Sequence, residues 1–364
     1  MEFTKSQQAA LDAIASWDRK GKFTLRGAAG TGKSTLMKEV IKDFSSSGVT
    51  LLAPTGKACV RLTETTGQQA TTIHSAIYNA FKNRRGELKF SVRQDADQGG
   101  VAIVDEASMV TERMASDLEK CFDGVLYIGD HYQLPPVKAA DWFGSQKADA
   151  ELTEVLRQAL DSPILSLVTA IRQGKPTPTS CTSDELVIKS AATVEDMLGV
   201  DQVICATNKS REALNSLMRG KLGRQGPIQV GDRLINLRNV AKGEQYICNG
   251  AQGVVVEEVG VKWRILFDGG EEVVCPITTD ESLFNQKYEE SGGSSQGSSS
   301  KPPGDLLLVD MAYCVTGHKS QGSQWDSVLV YDDSGYMRDA NERRKWIYTT
   351  LSRAAKRLVW IRKT

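Results

Sequence analysis

A short glycine-rich segment, Gly27–Ser34, constrains the fold of this 364-residue chain more than any other feature. It reads GAAGTGKS and fits the pattern G-x-x-x-x-G-K-[ST]. An apolar run at Phe23–Leu25 precedes it, and apolar residues at helical spacing follow it: Leu36, Val40, Ile41 and Phe44. A strand that passes through a glycine-rich turn into a helix is the start of a βαβ unit. The segment therefore predicts an α/β fold on a parallel sheet, with a phosphate-binding loop where the first strand ends.

The residue types of this loop indicate what it binds. Backbone N–H groups of such a loop turn toward phosphate oxygens, and the following helix contributes its positive N-terminal dipole. Lys33 is expected to reach the β- and γ-phosphates of ATP, and the Ser34 hydroxyl to ligate Mg²⁺. The loop residues predicted to contact the nucleotide are Gly27, Ala28, Ala29, Gly30, Thr31, Gly32, Lys33, Ser34 and Thr35.

A second motif supplies two acids. The apolar run Val101–Val104 ends in Asp105 and Glu106. Asp105 suits a magnesium ligand or a residue that orders the ion's water shell, and Glu106 suits a base that deprotonates an attacking water. Together the two motifs predict a nucleoside triphosphatase, but small-molecule kinases, transport ATPases and GTPases share them.

The remaining chain repeats the α/β pattern and then departs from it. Val49–Ala53 and Val125–Ile128 read as further buried strands, and a second α/β region begins near Val203. Val328–Tyr331 and Leu358–Ile361 are predicted to be its later strands. Between them, residues 231–277 show short alternating strands broken by glycine, which predicts a small inserted β-barrel.

Composition excludes some classes of protein. Lys+Arg and Asp+Glu are both 45, so the surface cannot be uniformly basic, although a local basic channel would suffice for nucleic acid. The 7 cysteines form no C-x-x-C pair and are expected to be reduced thiols rather than disulfides or zinc ligands. The polar N-terminus argues against a signal peptide, and no apolar run reaches the roughly 20 residues of a membrane span. We expect a cytoplasmic protein of a bacterial or phage-infected cell.

Several further motifs follow one another in a fixed order. They are FTKSQQAAL from residue 3, PTGKA from 54, TIH from 72, DEASM from 105, GDHYQLPPV from 129, LTEVLRQ from 152, TGHKSQGS from 316 and YTTLSRA from 348. With the phosphate-binding loop, this series resembles the superfamily 1 helicases, and among them the RecD-like branch. The resemblance covers nearly the whole chain.

The resemblance implies two RecA-like domains with parallel sheets and ATP in the cleft between them. The first is expected at residues 1–157, with a short β-hairpin inserted at about 78–98, and the second at residues 158–227 and 306–364. The β-rich stretch 228–290 occupies the place of an SH3-like barrel in this branch. Residues 291–305 are rich in Gly and Ser, which predicts a flexible linker, natural or engineered.

The resemblance also implies roles in the nucleotide site. Gln7 would contact the adenine, and Gln133 would sense the γ-phosphate from the first domain. Arg157 and Arg353 would reach the γ-phosphate as arginine fingers, where a guanidinium stabilises developing negative charge. Two further residues, Gln321 and Gly322, are also placed in this site.

The implied partners are single-stranded DNA and the junctions of single strands with duplexes, bound by a monomer that moves 5′ to 3′. The residues expected to contact DNA are Pro54, Thr55, Thr72, His74, Phe81, Asn208, Thr316 and His318. Phe90, Trp142 and Trp325 are further candidates for stacking on bases. The basic segment Phe81–Phe90 occupies the place of a duplex-splitting hairpin, but it is short.

Four other interpretations stay open on the sequence. The chain could be a translocase that strips proteins from single strands and unwinds weakly, or a helicase that acts on RNA. A non-catalytic binding module would leave the complete set of catalytic residues unexplained. A small-molecule kinase would leave the TGHKSQGS motif unexplained.

Overall fold

The computed structural model describes residues 3–44, 48–82, 88–93, 99–137, 139–156, 162–238, 240–242, 245–268, 270–280 and 306–362. Its helices, numbered α1 to α10 in chain order, are Lys5–Ser16, Lys33–Phe44, Gly56–Thr66, Ile73–Ile77, Glu112–Cys121, Trp142–Ser145, Pro163–Arg172, Val194–Leu198, Asn208–Lys221 and Ala340–Leu351. Short 3-10 helices lie at Ala107–Met109, His318–Ser320 and Ser334–Tyr336.

The strands are numbered in the same way from β1 to β22. They are Gly21–Gly27, Val49–Ala53, Ala70–Thr72, Tyr78–Lys82, Leu88–Val92, Val101–Val104, Gly124–Gly129, Ala150–Leu152, Cys181–Thr182, Leu186–Lys189, Gln202–Cys205, Arg233–Asn236, Val240–Lys242, Gln245–Ile247, Gln252–Val259, Lys262–Phe267, Glu272–Cys275, Ile277–Thr278, Leu307–Met311, Cys314–Thr316, Trp325–Asp332 and Ala354–Arg362.

The first sheet is wholly parallel, with strand order β3-β2-β6-β7-β1-β8. Its central strands are apolar along their length; every residue of β6 and β7 is buried. Such continuous burial is characteristic of parallel strands covered by helices on both faces. All the strands end at one edge, so the loops that follow β1, β2, β3, β6 and β7 are brought together there.

The second sheet has the order β20-β11-β21-β22-β10-β9 and is parallel except for β9. Helix α10 connects β21 to β22 and packs on α7. The predicted α/β fold with a parallel-sheet, RecA-like core is therefore confirmed. The edge strand β9 and its neighbour β10 were not predicted from the sequence.

A third sheet, β17-β16-β15-β12-β19-β18, interrupts the second along the chain, and most of its neighbouring strands are antiparallel. It has its own apolar core, which includes Val255, Ile265 and Leu307. Strand β19 pairs with β12, although its residues fall after the predicted domain boundary at 306. The predicted linker at 291–305 lies outside the described residues.

Strands β4 and β5 form a two-stranded antiparallel ribbon in which Tyr78 pairs with Val92 and Lys82 with Leu88. Residues 83–87, between the two strands of this ribbon, lie outside the described residues. All seven cysteines are free thiols. Among the described helices, none is both long and apolar enough to cross a bilayer.

Candidate active site

The glycine-rich loop connects the buried end of β1 to the first turn of α2. Gly30 and Gly32 have φ of +78° and +81°, a region that a side chain disfavours. Thr31 between them is fully buried and donates its hydroxyl to Ala28 O at 2.9 Å. The loop is thus held in a tight turn that relies on glycine at two positions with positive φ.

Lys33 begins helix α2 and folds back over the loop. Its ammonium group donates to the carbonyl oxygens of Gly27 and Ala28 at 2.8 and 3.0 Å. These bonds hold the cation at the mouth of the loop, where a bound phosphate would offer stronger, charged acceptors. Ser34 and Thr35 follow in the same helical turn and are partly exposed.

The two acids lie at the same edge of the first sheet, directly after β6. The backbone N–H of Asp105 donates to Leu52 O at 3.0 Å, which fixes the chain beside β2. Burial, and after it the neighbouring Glu106 carboxylate, raise the pKa of Asp105 to about 6, against the opposing charges of Lys33 and Arg61. Asp105 therefore lies close to both a second acid and the loop lysine, as the predicted ligand of a phosphate-bound magnesium ion would.

Glu106 adopts a left-handed backbone conformation, with φ of 51° and ψ of 41°. A non-glycine residue in this region carries a strain of order 1–3 kcal/mol, and such strain clusters at functional sites. The turn directs the chain from β6 into the short helix Ala107–Met109, so the carboxylate of Glu106 follows that of Asp105 at the sheet edge.

Gln133 follows the end of β7 and is buried, with 7% of its surface exposed. Its side-chain carbonyl oxygen has no hydrogen-bond partner among the described residues. A buried amide without a partner costs about 1–3 kcal/mol, so such groups are usually retained for a ligand or an ordered water. The side-chain amide of Gln133 is therefore suited to bind a water molecule or a phosphate in the cleft.

Helix α10 of the second sheet bridges this edge directly. The Tyr348 hydroxyl donates to Asp130 Oδ2 at 2.5 Å and accepts the Ala29 backbone N–H at 2.8 Å. Next to it, Thr349 Oγ1 accepts the backbone N–H of Leu134 at 2.9 Å. The two parallel sheets are therefore joined across the phosphate-binding loop itself, so the loop lies in the cleft between them.

Arg353 lies two residues after the end of helix α10, and 4% of its surface is exposed. Its guanidinium donates to the carbonyl oxygens of Thr349 at 2.9 Å and Ser323 at 3.3 Å. Burial lowers its pKa, and the carboxylate of Glu106 is the leading charge that raises it. The second predicted arginine finger, Arg157, lies outside the described residues.

Three predicted nucleotide contacts have protein partners at this junction. The buried side chain of Gln7 donates to Thr31 O at 3.0 Å, behind the loop. Gln321 donates to Leu134 O at 2.8 Å. Gly322, with φ of +74°, lies so close to the start of helix α3 that an added Cβ would be 3.2 Å from Thr55 Oγ1. The structure thus places Gln321 and Gly322 in contacts between the two sheets.

The predicted DNA contacts on the first sheet lie on neighbouring strands. Ala53 pairs with Thr72, so Pro54 and Thr55 lie beside the segment that contains His74. The hydroxyls of Thr55 and Thr72 already cap helices, accepting backbone N–H groups at 3.2 and 3.1 Å.

The His74 ring packs against the rings of Tyr78 and Phe90, with centroids 5.4 and 5.1 Å away, and burial lowers its pKa. Phe81 belongs to β4, but its side chain is outside the described residues. Of the other stacking candidates, Trp142 is buried against Tyr127, and Trp325 lies under the ammonium of Lys57 at 4.8 Å.

The contacts predicted on the second sheet are also neighbours. Cys205 at the end of β11 pairs with Thr316 at the end of β20, so Asn208 and His318 follow adjacent strands. Asn208 starts helix α9, and its side-chain oxygen accepts from Arg211 Nε at 3.4 Å. Burial lowers the pKa of His318, opposed by Glu342. The predicted DNA-contacting residues of the second sheet therefore lie together at its carboxyl edge, as Pro54, Thr55, Thr72 and His74 do on the first sheet.

Sequence reasoning did not assign a role to Asp130 or Tyr348, although both lie inside quoted motifs. It also missed Lys57, whose ammonium lies 3.5 Å from Asp268 of the third sheet. An added Cβ on Gly56 would overlap Cys248, so the loop between β14 and β15, which leads into the third sheet, packs directly on the start of helix α3. The only sequence signal for these three residues was that each is a polar side chain inside one of the quoted motifs.

Comparison with known proteins gives consistent matches. The family described as "AAA domain" matches residues 2–193, just over half of the chain, and the family described as "UvrD-like helicase C-terminal domain" matches residues 311–361. The ATP-dependent RecD2 DNA helicase of Deinococcus radiodurans is 28% identical over 97% of this chain and 48% of its own length.

The ATP-dependent DNA helicase dda of Enterobacteria phage T4 is 30% identical over 61% of this chain and 57% of its own. The chain spans about half the length of the relatives it matches. A crystal structure of Pif1 helicase from Bacteroides in complex with ADP-AlF3 and ssDNA superposes with a TM-score of 0.62, at 18% identity, over 100% of this chain and 93% of that one. At that identity the superposition shows a shared fold.

Proposed function

This chain belongs to the AAA-domain family and to the superfamily 1 helicases, and from this premise we propose that it is an ATP-dependent DNA helicase. It would translocate on single-stranded DNA, 5′ to 3′, by hydrolysing ATP between its two parallel sheets. The observation that carries the proposal is the bridge from Tyr348 to Asp130 and Ala29, because it sets the phosphate-binding loop in the cleft between the two parallel sheets.

The residues present fit a magnesium ion. Ser34 and Asp105 would hold it, as in other phosphate-binding loops of this type. A buried carboxylate with a raised pKa beside a second acid is a costly arrangement that a divalent cation would stabilise. The ion would neutralise charge on the β- and γ-phosphates. Among the described residues no cluster of three or more His, Cys, Asp or Glu offers an alternative metal site.

Hydrolysis would then proceed through groups of this chain. The ammonium of Lys33 would leave its carbonyl acceptors for the phosphates, and Glu106 would accept the proton of the attacking water. Gln133 would orient that water with its unpartnered amide oxygen. Arg353, and Arg157 with it, would stabilise charge on the γ-phosphoryl oxygens from the opposite side of the cleft.

Coupling to movement would follow from the shared position of the two sites. The same carboxyl edges that hold the loop and the acids also hold the predicted DNA contacts, including Thr55, His74, Asn208 and His318. Closing the cleft on ATP would shift one group of contacts relative to the other along the strand, and hydrolysis would reverse the shift. This is an inchworm cycle, in which each sheet in turn holds the DNA.

We infer roles for the two insertions on the same basis. The third sheet would be an SH3-like barrel that braces the DNA path, because Cys248 and Asp268 contact the start of helix α3 beside Thr55. The ribbon Tyr78–Val92 would be the wedge at a single-strand/duplex junction.

The first experiment is ATP hydrolysis by the purified chain with no nucleic acid, with single-stranded DNA and with matched RNA. Stimulation by DNA alone is the expected result, and indifference to both would refute the proposal. Lys33→Ala should abolish hydrolysis while retaining DNA binding. Lys38→Ala, an exposed lysine of the same helix, is the matched control. Unwinding of a 5′-tailed but not a 3′-tailed duplex tests the polarity.

A second candidate is a translocase that displaces bound proteins and unwinds weakly. The short ribbon favours it, since each strand has only five residues. Displacement of streptavidin from a biotinylated single strand, measured beside duplex unwinding at equal ATP turnover, separates the two. Fast displacement with slow unwinding would support the translocase.

A further inference from the structure

A cavity of about 300 Å³ lies in the second parallel-sheet domain, away from the phosphate-binding loop. It opens where β21 and β22 end, between the end of helix α7 and the start of helix α10. The residues that line it are Ile171, Gly174, Lys175, Thr177, Asp332, Ala340, Arg343, Arg344, Ile347, Trp360 and Arg362. The carboxyl ends of parallel strands are the usual place for ligands in α/β sheets. Its volume is at the lower end of the range for small-molecule sites.

The cavity is strongly cationic. Four basic side chains line it, against the single carboxylate of Asp332, which leaves an excess of three positive charges. Arg343 lies 3.8 Å from that carboxylate, and Arg362 donates to Thr177 Oγ1 at 3.0 Å. Lys175 and Arg344 have no carboxylate partner within the described ranges. Concentrated positive charge of this kind favours an anionic ligand.

Two buried polar atoms of the lining residues have no hydrogen-bond partner in the described part of the chain. One is the indole N–H of Trp360, which is 2% exposed, and the other is Oδ2 of Asp332, which is 3% exposed. The other oxygen of Asp332 accepts from the backbone N–H of Ser334 at 3.1 Å. Oδ2 is the oxygen that faces Arg343 at 3.8 Å, beyond hydrogen-bond distance, so neither atom is hydrogen-bonded, whereas most buried polar groups are.

The apolar part of the lining comes from Ile171, Ile347 and the Trp360 ring. A ligand that used all these features would be a phosphate ester with a flat ring system. Its phosphate would meet the arginines, its ring would pack on the apolar wall, and its own donor and acceptor would pair with Asp332 and Trp360. We propose that this cavity binds a nucleoside monophosphate, either free or as the 5′-phosphorylated end of a strand.

The cavity is distinct from the phosphate-binding loop. None of the loop residues 27–34 lines it. Helix α7 connects the two places: Leu165 is 3.2 Å from the position of an added Cβ on Gly30, whereas Ile171 lines the cavity. Six residues of helix separate these contacts by roughly 9 Å. The two places are therefore separate, and the proposed ligand of the cavity does not rest on the proposed helicase activity.

The test is equilibrium dialysis of radiolabelled dAMP against the full chain that carries Lys33→Ala. dAMP has no β-phosphate for the phosphate-binding loop to bind, and Lys33→Ala weakens any residual binding of dAMP at that loop. Three variants probe the cavity in this background: Arg344→Gln, Lys175→Gln and Trp360→Phe. The last keeps an aromatic ring but removes the indole N–H. Arg357→Gln, an exposed arginine on β22 outside the cavity, is the matched control.

Saturable binding that each cavity variant weakens about tenfold or more, and that Arg357→Gln leaves unchanged, is the expected result. Circular dichroism confirms that each variant is folded. Absence of saturable binding, or equal binding by all variants, overturns the proposal. Displacement of dAMP by equimolar inorganic phosphate would also overturn it, because the site would then recognise only the anion.

The source of the nucleotide is resolved with oligodeoxynucleotides. A strand with a 5′-phosphate that competes with dAMP better than the same strand with a 5′-hydroxyl, and loses this advantage in Arg344→Gln, identifies a strand end. Equal competition by the two strands, with dAMP binding intact, identifies a free nucleotide.

Discussion

The hydroxyl of Tyr348 is expected to hold the two parallel sheets together, and Tyr348→Phe removes only that oxygen. The change deletes one hydrogen bond to the Asp130 carboxylate and one from the Ala29 backbone N–H, at 2.5 and 2.8 Å. Asp130 is fully buried, so water cannot easily replace the lost donor. A bond to an ionised group contributes about 1.5–3 kcal/mol and a neutral one about 0.5–1.5 kcal/mol. We expect the variant to lose about 2–4 kcal/mol of the free energy that keeps the cleft closed.

Hydrogen exchange reports this loss where it occurs. The Ala29 amide should exchange about 30-fold faster or more in the variant, because about 1.4 kcal/mol is a factor of ten and at least about 2 kcal/mol is lost. Tyr336→Phe is the control, since Tyr336 is 58% exposed and lies in the same domain. An Ala29 amide that exchanges at the same rate in both variants would refute the inference that this hydroxyl bridges the cleft.

Two other predictions concern the same cleft. Gly32→Ala should destabilise the fold by more than about 2 kcal/mol, because the backbone at φ +81° disfavours a side chain and the added Cβ would overlap the Gln7 amide. Gly67→Ala, with φ of +72° and open space around it, should cost only the backbone strain of about 1 kcal/mol; equal urea midpoints for the two variants would contradict this. Arg353→Gln should lower the rate of ATP hydrolysis by about 10³-fold or more with a small effect on nucleotide affinity, measured in single-turnover assays. A rate within about tenfold of the unaltered chain would remove Arg353 from the proposed catalytic groups.

Much of the fold could be predicted because its signals are local. The strand, glycine-rich turn and helix around Gly27–Ser34 are adjacent in the chain, and so are the strand and the acids at Val101–Glu106. The buried strands of a parallel sheet are short apolar runs that end in turn residues, which the sequence displays directly. Strands such as Leu186–Lys189 carry only four residues and a mixed pattern, so they could not be distinguished from a loop.

The candidate site was predictable in its residue types but not in its contacts. Lys33, Asp105 and Arg353 were identified by motif, yet the acceptors that hold Lys33 and Arg353 in place follow only from the folded chain. Gln321 was placed at the nucleotide, which stays a prediction, but its hydrogen bond to Leu134 across the two sheets follows only from the structure. The sequence contains no signal for such a pairing, since 187 residues separate the two partners.

The sequence by itself determined the phosphate-binding loop, the acid pair and the parallel α/β class, because backbone geometry and the alternation of strands with helices follow from neighbouring residues. Tertiary structure alone decided how the two halves meet. The bond from Tyr348 to Ala29 spans 319 residues, and the cavity brings Trp360 and Asp332 beside Ile171 and Lys175. Contacts of this kind depend on the packing of whole helices on sheets, which sets where a side chain ends and which buried polar atoms stay without a partner.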